Sequence, residues 1–447
     1  MRLSLVVWGL IGTTTLSCGG SGGGSGGSPP GPGIMTTGTL GEPSTALIAG
    51  NLIFVNASMN MMDQDPGSFG MLIDSGSPVV LIDPSLFNTT PPTTAANIST
   101  TVDLGLLDAA GQPVVVIDNA PVLQVSNAMM DALGFGGILG GDVMSQFSVQ
   151  LDYAAPMMEG FCLGCTASTT RTDVQLPGGV VPFTLKGGGR SPVTLGTDSQ
   201  GNPINSPVVN IPPTRIPVTV TIEGTDHPFI VDTGATEVSL RSTVYDQLIS
   251  DGRAQLVSGI AIMTIAGSSN ASLTRVKTMT LGDSTVSNVP VMTIMTSPSD
   301  QLLDGISNEL GKQIDGLLGG SFLRNFLVSI DYPNGQLHLQ PYLTPPIPDE
   351  FRRVGITIGL DITGTHFVVS SVYPNTDAAS KNINVNDQVV SIDGTSLTNV
   401  GYVADADQLL DGMPDTSKMI RFGKTQDSAL TNMTVSVLVD DLIPNPQ

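Results

Sequence analysis

The stretch "FIVDTGATEVSL" spans residues 229–240. Three apolar residues run directly into Asp232, and Thr233 and Gly234 follow. A carboxylate at the buried end of an apolar strand costs free energy unless it is paired or hydrogen-bonded. Its presence there demands a partner. Upstream, "MLIDSGSPVVLI" at 71–82 repeats the arrangement with Asp74, Ser75, Gly76 and Ser77.

Each stretch is followed, several tens of residues later, by a second matching one. The first is "ILGGDVMSQFSVQLDY" at 138–153 and the other is "LLGGSFLRNFLVSIDY" at 317–332. Aligned without gaps, they share Leu, Gly, Gly, Phe, Val, Asp and Tyr. The chain therefore holds two copies of one plan: apolar strand, Asp-Ser/Thr-Gly, β-rich segment, apolar pair and Gly, short helical turn, strand. A duplicated β lobe is the economical explanation. A pseudo-twofold axis between the lobes would set Asp74 opposite Asp232. Local patterning agrees. "IPVTVTIEG" at 216–224 alternates and ends in a turn, "TRVKTMTLGDSTVSNVPVMTI" at 274–294 reads as strand, turn, strand, and "STVYDQLISDG" at 242–252 reads as a helix. The Gly-, Pro-, Ser- and Thr-rich region 166–215 is expected to carry the crossover between lobes.

Two carboxylates within hydrogen-bonding distance cannot both ionise cheaply, so the pair shares a proton. One member can then act as general base on a water while the other polarises a carbonyl. Ser75 and Thr233 can bond across to the opposite loop, and Gly76 and Gly234 let backbone N–H groups approach the carboxylates. Leu139-Gly140 and Leu318-Gly319 can pack under the loops. "DSGS" with "ILG", and "DTGA" with "LLG", resemble the two half-sites of pepsin-like and retropepsin-like aspartic proteases over roughly 40–342. The resemblance implies a mainly β, bilobal double-β-barrel fold, a catalytic dyad of Asp74 and Asp232, a polypeptide substrate, no cofactor and no metal. Both half-sites lie on one chain, so a monomer is expected. There are departures from the pepsin pattern. Pro78 follows the first motif, and neither candidate flap, 107–116 or 264–273, carries a Tyr. Ser77 and Ala235 differ at equivalent places. A Ser77 hydroxyl donating to the outer oxygen of Asp74 would make Asp232 the protonated member. The alternative reading is a non-catalytic peptide-binding surface lipoprotein with a degenerate protease fold.

Other chemistries lack their motifs. None of the three histidines lies in an H-E-x-x-H, and there is no nucleophile elbow or P-loop. A net charge of −22 over 447 residues argues against nucleic acid and anionic membrane surfaces as partners. A hydrophobic fraction of 40% supplies real cores. The N-terminus, "MRLSLVVWGLIGTTTLSCGG", reads as an export signal, and Thr15-Leu16-Ser17-Cys18 resembles a bacterial lipobox. That resemblance implies cleavage before Cys18, lipidation there, and a cell-envelope protein that meets the membrane only through its anchor. The Gly/Ser/Pro run at 19–33 would be its tether. Cys162 and Cys165 supply only half of a zinc site, and in an exported protein a local disulfide is expected.

After "PYLTPPIPDE" the texture changes. "VGITIG" at 354–359 and "FVVSSVYPNTDAASKNINVNDQVVSIDGTSL" at 367–397 resemble a PDZ domain, a β-rich α+β fold. Asn382 and Asn386 stand where glycines are common there, and Asn tolerates left-handed backbone angles. The resemblance implies a groove for peptide C-termini beginning at Gly355 and Ile356, or a module that only packs on the protease. The expected organisation is 1–18 signal peptide, 19–40 tether, 41–172 first lobe, 173–345 second lobe and 350–440 PDZ domain.

Overall fold

The computed structural model describes residues 2–5, 35–49, 51–60, 67–83, 99–124, 135–155, 160–197, 203–255, 260–264, 267–294, 300–344, 351–361, 365–373, 375–400, 403–426, 429–443 and 446. Cys18 and the run 19–33 lie outside them. The fold is mainly β, with two closed six-stranded barrels and a β-rich C-terminal domain.

The first barrel is built from β1 (Leu52–Asn60), β2 (Phe69–Ile73), β3 (Val80–Ile82), β4 (Ser99–Leu107), β5 (Pro113–Gln124) and β6 (Gly137–Leu139). They pair in the ring β1–β4–β5–β3–β6–β2 and back to β1. The second uses β7 (Pro217–Ile222), β8 (Thr225–Val231), β9 (Val238–Leu240), β10 (Gly267–Leu281), β11 (Ser284–Ile294) and β12 (Gly316–Leu318). Its ring, β7–β10–β11–β9–β12–β8, has the same order shifted by six labels. Parallel pairing also matches, with β2 beside β6 and β8 beside β12.

Patterning explains the strands. In β7 Val218, Val220 and Ile222 are buried while Thr219 is exposed, as alternation requires of a strand with one covered face. The last three residues of β8 and all of β12 are buried, which accounts for their unbroken apolar runs. Among the described residues, four short or medium helices punctuate the lobes: α1 (Gly141–Met144), α2 (Ser242–Ile249), α3 (Gln301–Leu310) and α4 (Gly320–Leu323).

The lobes meet in a shared antiparallel sheet. Ser148–Leu151 pairs with Phe326–Asp331, flanked by Phe161–Leu163 and Gln336–Pro341. Gln150 pairs with Ser329, its own counterpart in the alignment of the two tails, and Gln150 Nε2 donates to Ser329 Oγ at 3.1 Å. A residue that pairs with its own equivalent lies on the pseudo-twofold axis. Cys162 and Cys165 are joined by a disulfide on the flanking strand. The crossover region contains a strand, Gly179–Pro182, beside Gln336–Pro341, and then a long hairpin, Gly189–Thr197 with Pro203–Ile211.

Among its described residues the C-terminal domain has six main strands, β13 (Arg352–Val354), β14 (Ile356–Leu360), β15 (Phe367–Val372), β16 (Gln388–Ile392), β17 (Ser417–Gln426) and β18 (Ala429–Asp441), and a two-residue one, Thr395–Ser396, beside β16. They form the order β13–β18–β17–β16–β15–β14. Asn382, Asn386 and Gly394 have φ of 55°, 72° and 83°, so both asparagines hold the left-handed turns expected of them. Phe351, Tyr373 and Ile443 leave this domain's own core. They are buried instead with Ile230, Ala271, Leu273, Met292, Leu303 and Ile306 of the second lobe. Arg275 on β10 adds a polar tie, donating through Nε to the Ile443 carbonyl at 2.5 Å and through Nη1 to the Asn288 carbonyl at 2.9 Å.

Candidate active site

Each Asp loop leaves a barrel strand and turns back under its partner strand. Asp74 follows β2 and Asp232 follows β8. Their backbone N–H groups donate to the carbonyls of Leu139 and Leu318, both at 3.1 Å. The apolar pairs therefore anchor the loops through the main chain as well as by packing. Gly140 and Gly319 sit so close to the loops that an added Cβ would lie 2.1 Å from the Val79 carbonyl oxygen and 2.2 Å from that of Glu237. Only glycine fits there.

The two loops lock together reciprocally. Ser75 N donates to Thr233 Oγ1 at 2.9 Å, and Thr233 N donates to Ser75 Oγ at 3.1 Å. Each hydroxyl donates onward across the interface, Ser75 to the Val231 carbonyl at 3.0 Å and Thr233 to the Ile73 carbonyl at 2.9 Å. Gly76 and Gly234 bring the backbone against the opposite carboxylate. A Cβ on Gly76 would stand 2.5 Å from Asp232 Cγ, and one on Gly234 would stand 2.4 Å from Asp74 Cγ. The structure thus brings Asp74, Ser75, Gly76, Ser77, Thr233 and Gly234 into one cluster, with the two carboxylates interacting and both buried.

The carboxylates are not equivalent. Asp74 Oδ1 accepts from Gly76 N at 2.7 Å and Ser77 N at 2.9 Å, while its buried Oδ2 takes no backbone bond. Burial, the neighbouring Asp232 charge and the hydrogen bond to Asp232 hold Asp74 well above the usual carboxylate range. Burial raises Asp232 only to about 6, because the hydrogen bond from Asp74, the Gly234 N–H, the Arg215 guanidinium and the Ala235 N–H favour its charged form. Both carboxyls are thus raised, as a pair sharing one proton requires, and the Ser77 bond to Asp74 expected from the sequence is not made. The physical reason is plain: the Ser77 hydroxyl donates to the Val79 carbonyl at 2.8 Å, not to Asp74.

The two expected flaps occupy different places in their lobes. The turn at 108–112 joins β4 to β5 and corresponds to the β10–β11 turn at 282–283. The hairpin containing 264–273 pairs Ile260–Thr264 with the start of β10. By strand order its counterpart in the first lobe falls between β3 and β4, where 84–98 lie outside the described residues.

Sequence reasoning passed over Arg215, Asn51 and Asp142. Asn51 Nδ2 donates to the Thr236 carbonyl at 2.9 Å, and Arg324 Nη1 donates to Asn51 Oδ1 at 2.9 Å. A lone arginine in the charge-free run "NSPVVNIPPTRIPVTV" was the available signal for Arg215. The Asp142/Ser321 mismatch in the aligned tails was the signal for Asp142.

In the C-terminal domain Gly355 and Ile356 lead into β14. A Cβ on Gly355 would meet Thr376 Oγ1 at 2.2 Å. The Ile358 N–H on β14 donates to Asp407 Oδ1 at 3.0 Å, from the helix Val403–Gln408 packed beside that strand. Fully buried Arg353 holds Asp407 at 2.7 Å.

Residues 218–322 match a family profile described as aspartyl protease, and residues 347–419 match that of the PDZ domain. The chain carries an aspartyl protease domain and a PDZ domain. The protease match covers the second lobe, and the first lobe repeats its strand order and its Asp-Ser-Gly loop. No curated protein matches the chain. Among solved structures, a photosystem II D1 C-terminal processing protease is 22% identical over 21% of this chain, with a TM-score of 0.19. The matched part makes up 24% of that chain.

Proposed function

We propose that this protein is an aspartic endopeptidase whose dyad is Asp74 and Asp232 of the same chain. The reading rests on the reciprocal locking of the two loops, which sets both carboxylates face to face. In it, ionised Asp232 takes a proton from a water as that water attacks the scissile carbonyl carbon. Protonated Asp74 gives its proton to the carbonyl oxygen. The tetrahedral intermediate then collapses as a proton passes to the leaving nitrogen. No metal or organic cofactor enters this scheme. Leu139, Gly140, Leu318 and Gly319 keep the loops rigid, so the pair is preorganised.

The test is cleavage of an unfolded, fluorescently labelled casein across a pH series. Asp74→Asn and Asp232→Asn should each abolish turnover, and mixing the two variants should not restore it. Recovery on mixing would mean a dimer supplies the dyad. Undiminished cleavage by either variant would refute the assignment. If the wild type cleaves nothing at any pH, the non-catalytic peptide-binding role takes its place.

The PDZ domain acts here as a brace on the second lobe through Phe351, Tyr373, Ile443 and Arg275. A peptide end entering beside Gly355 and Ile356 as an added strand would have to displace Asp407 from the Ile358 N–H. Export and lipidation at Cys18 complete the proposal, because the lipobox-like stretch precedes a long glycine-rich tether. Cys18→Ser should move the protein from the membrane fraction to the soluble one. A variant that fractionates like the wild type would remove the anchor from the scheme.

A further inference from the structure

The twofold relation of the lobes makes any charged group without a counterpart conspicuous. Arg215 is such a group. By strand register Val55 opposes Met71 and Val218 opposes Phe229, which makes Leu52 the first-lobe equivalent of Arg215. The first lobe thus holds an apolar side chain where the second holds a guanidinium.

Arg215 is fixed at several points. Its backbone N–H and carbonyl both bond to Lys186, at 3.1 and 3.0 Å. Its side chain is 3% exposed. Nη1 donates to the carbonyl of Gly76, the residue whose Cα lies against the Asp232 carboxylate. Nε stands 3.5 Å from Glu309 Oε2 on α3. Glu309 is held in turn by the Gly188 N–H, at 2.9 Å from Oε1. The cation comes from the second lobe and reaches across to the first Asp loop at Gly76, which itself lies against the second carboxylate, and its charge favours ionised Asp232. A fixed charge in a water-poor interior acts far more strongly than at a surface. The groups facing the pair are Asp74 and Asp232 themselves, Arg215 before β7, Glu309 on α3 behind it, and Tyr332 after the strand Phe326–Asp331.

We infer that Arg215 is a positioning residue that breaks the equivalence of the two carboxylates, setting Asp232 as the base and Asp74 as the acid. This rests on the proposed catalytic dyad, but it can be tested without turnover. Carboxyl-carbon NMR of the full chain with labelled Asp would follow both titrations, assigned with Asp74→Asn and Asp232→Asn. Arg215→Met should raise the Asp232 midpoint by one pH unit or more, about a tenfold gain in proton affinity. Arg215→Lys should restore part of the shift. Glu309→Gln removes the counter-charge and should move the midpoint down. In casein cleavage the acid limb of the pH–rate profile should follow the same directions while KM holds.

A purely structural Arg215 would lower activity in both variants without opposite shifts. Unmoved midpoints, or shifts of one sign in both Arg215→Met and Glu309→Gln, would overturn the inference. If Arg215→Met does not fold, Glu309→Gln decides alone, and a midpoint that does not fall sinks it. If the midpoints shift as stated while no variant or wild type cleaves substrate, the protease reading fails and the role of Arg215 stands.

Discussion

The two lobes share a strand order, a pair of Asp loops and an interface, and differ in many buried side chains, among them two that can carry a charge. Where the first has Leu52, the second has Arg215. Where the first has Asp142 at the head of α1, the second has Ser321 at the head of α4. Ser321 Oγ accepts the Val238 N–H at 2.9 Å and donates to the Pro290 carbonyl at 2.8 Å. Asp142 likewise accepts from the backbone N–H of Val80, the residue equivalent to Val238, and from Val143 N at 3.0 Å. Duplication fixes the backbone hydrogen bonds that close each loop, while the side chains that meet them have diverged. The difference teaches that shared backbone bonds keep the scaffold alike, while the buried charges set around the carboxylate pair are free to differ.

The largest effect should come from filling the closest approaches on the axis. Gly76→Ala and Gly234→Ala each place a methyl group inside the opposite carboxylate. Either should cut kcat by at least about a hundredfold, as a displacement of about 1 Å does at a reacting group. Because the approaches are reciprocal, the two losses should be similar. A silent Gly76→Ala beside a dead Gly234→Ala, with both folded, would break the twofold description of the site.

Asp142 should give the next largest effect. Burial pushes its carboxyl up to about 8, against an ordinary value of 3.8. The folded form therefore keeps a proton that the unfolded chain releases. Stability from this group is complete below pH 4 and falls as pH rises toward 8. At about 1.4 kcal/mol per unit, the loss across that window is on the order of 5 kcal/mol. Asp142→Ser copies the second lobe and should remove that dependence. Thermal melts should separate wild type and variant widely at pH 8 and little at pH 4. Equal separation at both pH values would show that Asp142 stays ionised in the fold.

The pH profile of activity sharpens the same comparison. Asp232 must be ionised to accept a proton, so turnover should be present above about pH 6 and lost as pH falls through that value. Asp74, the proposed proton donor and also raised by burial and by Asp232, should set the basic limb. Activity confined to pH 3–4 would require both carboxylates to be lower than this environment makes them.

Much of this was legible in the residues. Apolar strands ending in Asp-Ser/Thr-Gly, each with its own apolar-apolar-Gly and tail, carried the lobes, the meeting of the two carboxylates and the locking hydroxyls, because those contacts are set by backbone geometry common to both copies. What stayed hidden depends on long-range neighbours. Arg215 sits in a Pro-rich run that reads as linker, and nothing local places it beside Gly76. The 107–116 turn looks as flap-like as 264–273, since turn residues report a bend and not which strands it joins. The closed Asp407–Ile358 contact joins residues 49 apart.

Ala235→Ser is the finest test of the comparison. From composition alone, a serine after the second Asp-Thr-Gly would be expected to donate to Asp232 and lower it. In the first lobe, however, the equivalent Ser77 hydroxyl turns away and donates to the Val79 carbonyl. The loop around Ala235 makes the same backbone bonds: Ala235 N to the Asp232 carbonyl at 3.3 Å, as Ser77 N to Asp74, and Gly320 N to the Ala235 carbonyl at 2.7 Å, as Gly141 N to Ser77. A new hydroxyl at 235 should therefore find the Glu237 carbonyl, the counterpart of Val79. Ala235 is fully buried in the cluster that runs to the PDZ domain, so the added oxygen should cost about 1–3 kcal/mol in stability. Both limbs of the pH–rate profile should stay where the wild type has them. An acid limb that falls in Ala235→Ser would mean the hydroxyl reaches Asp232, and that the two loops are less alike than their backbone bonds.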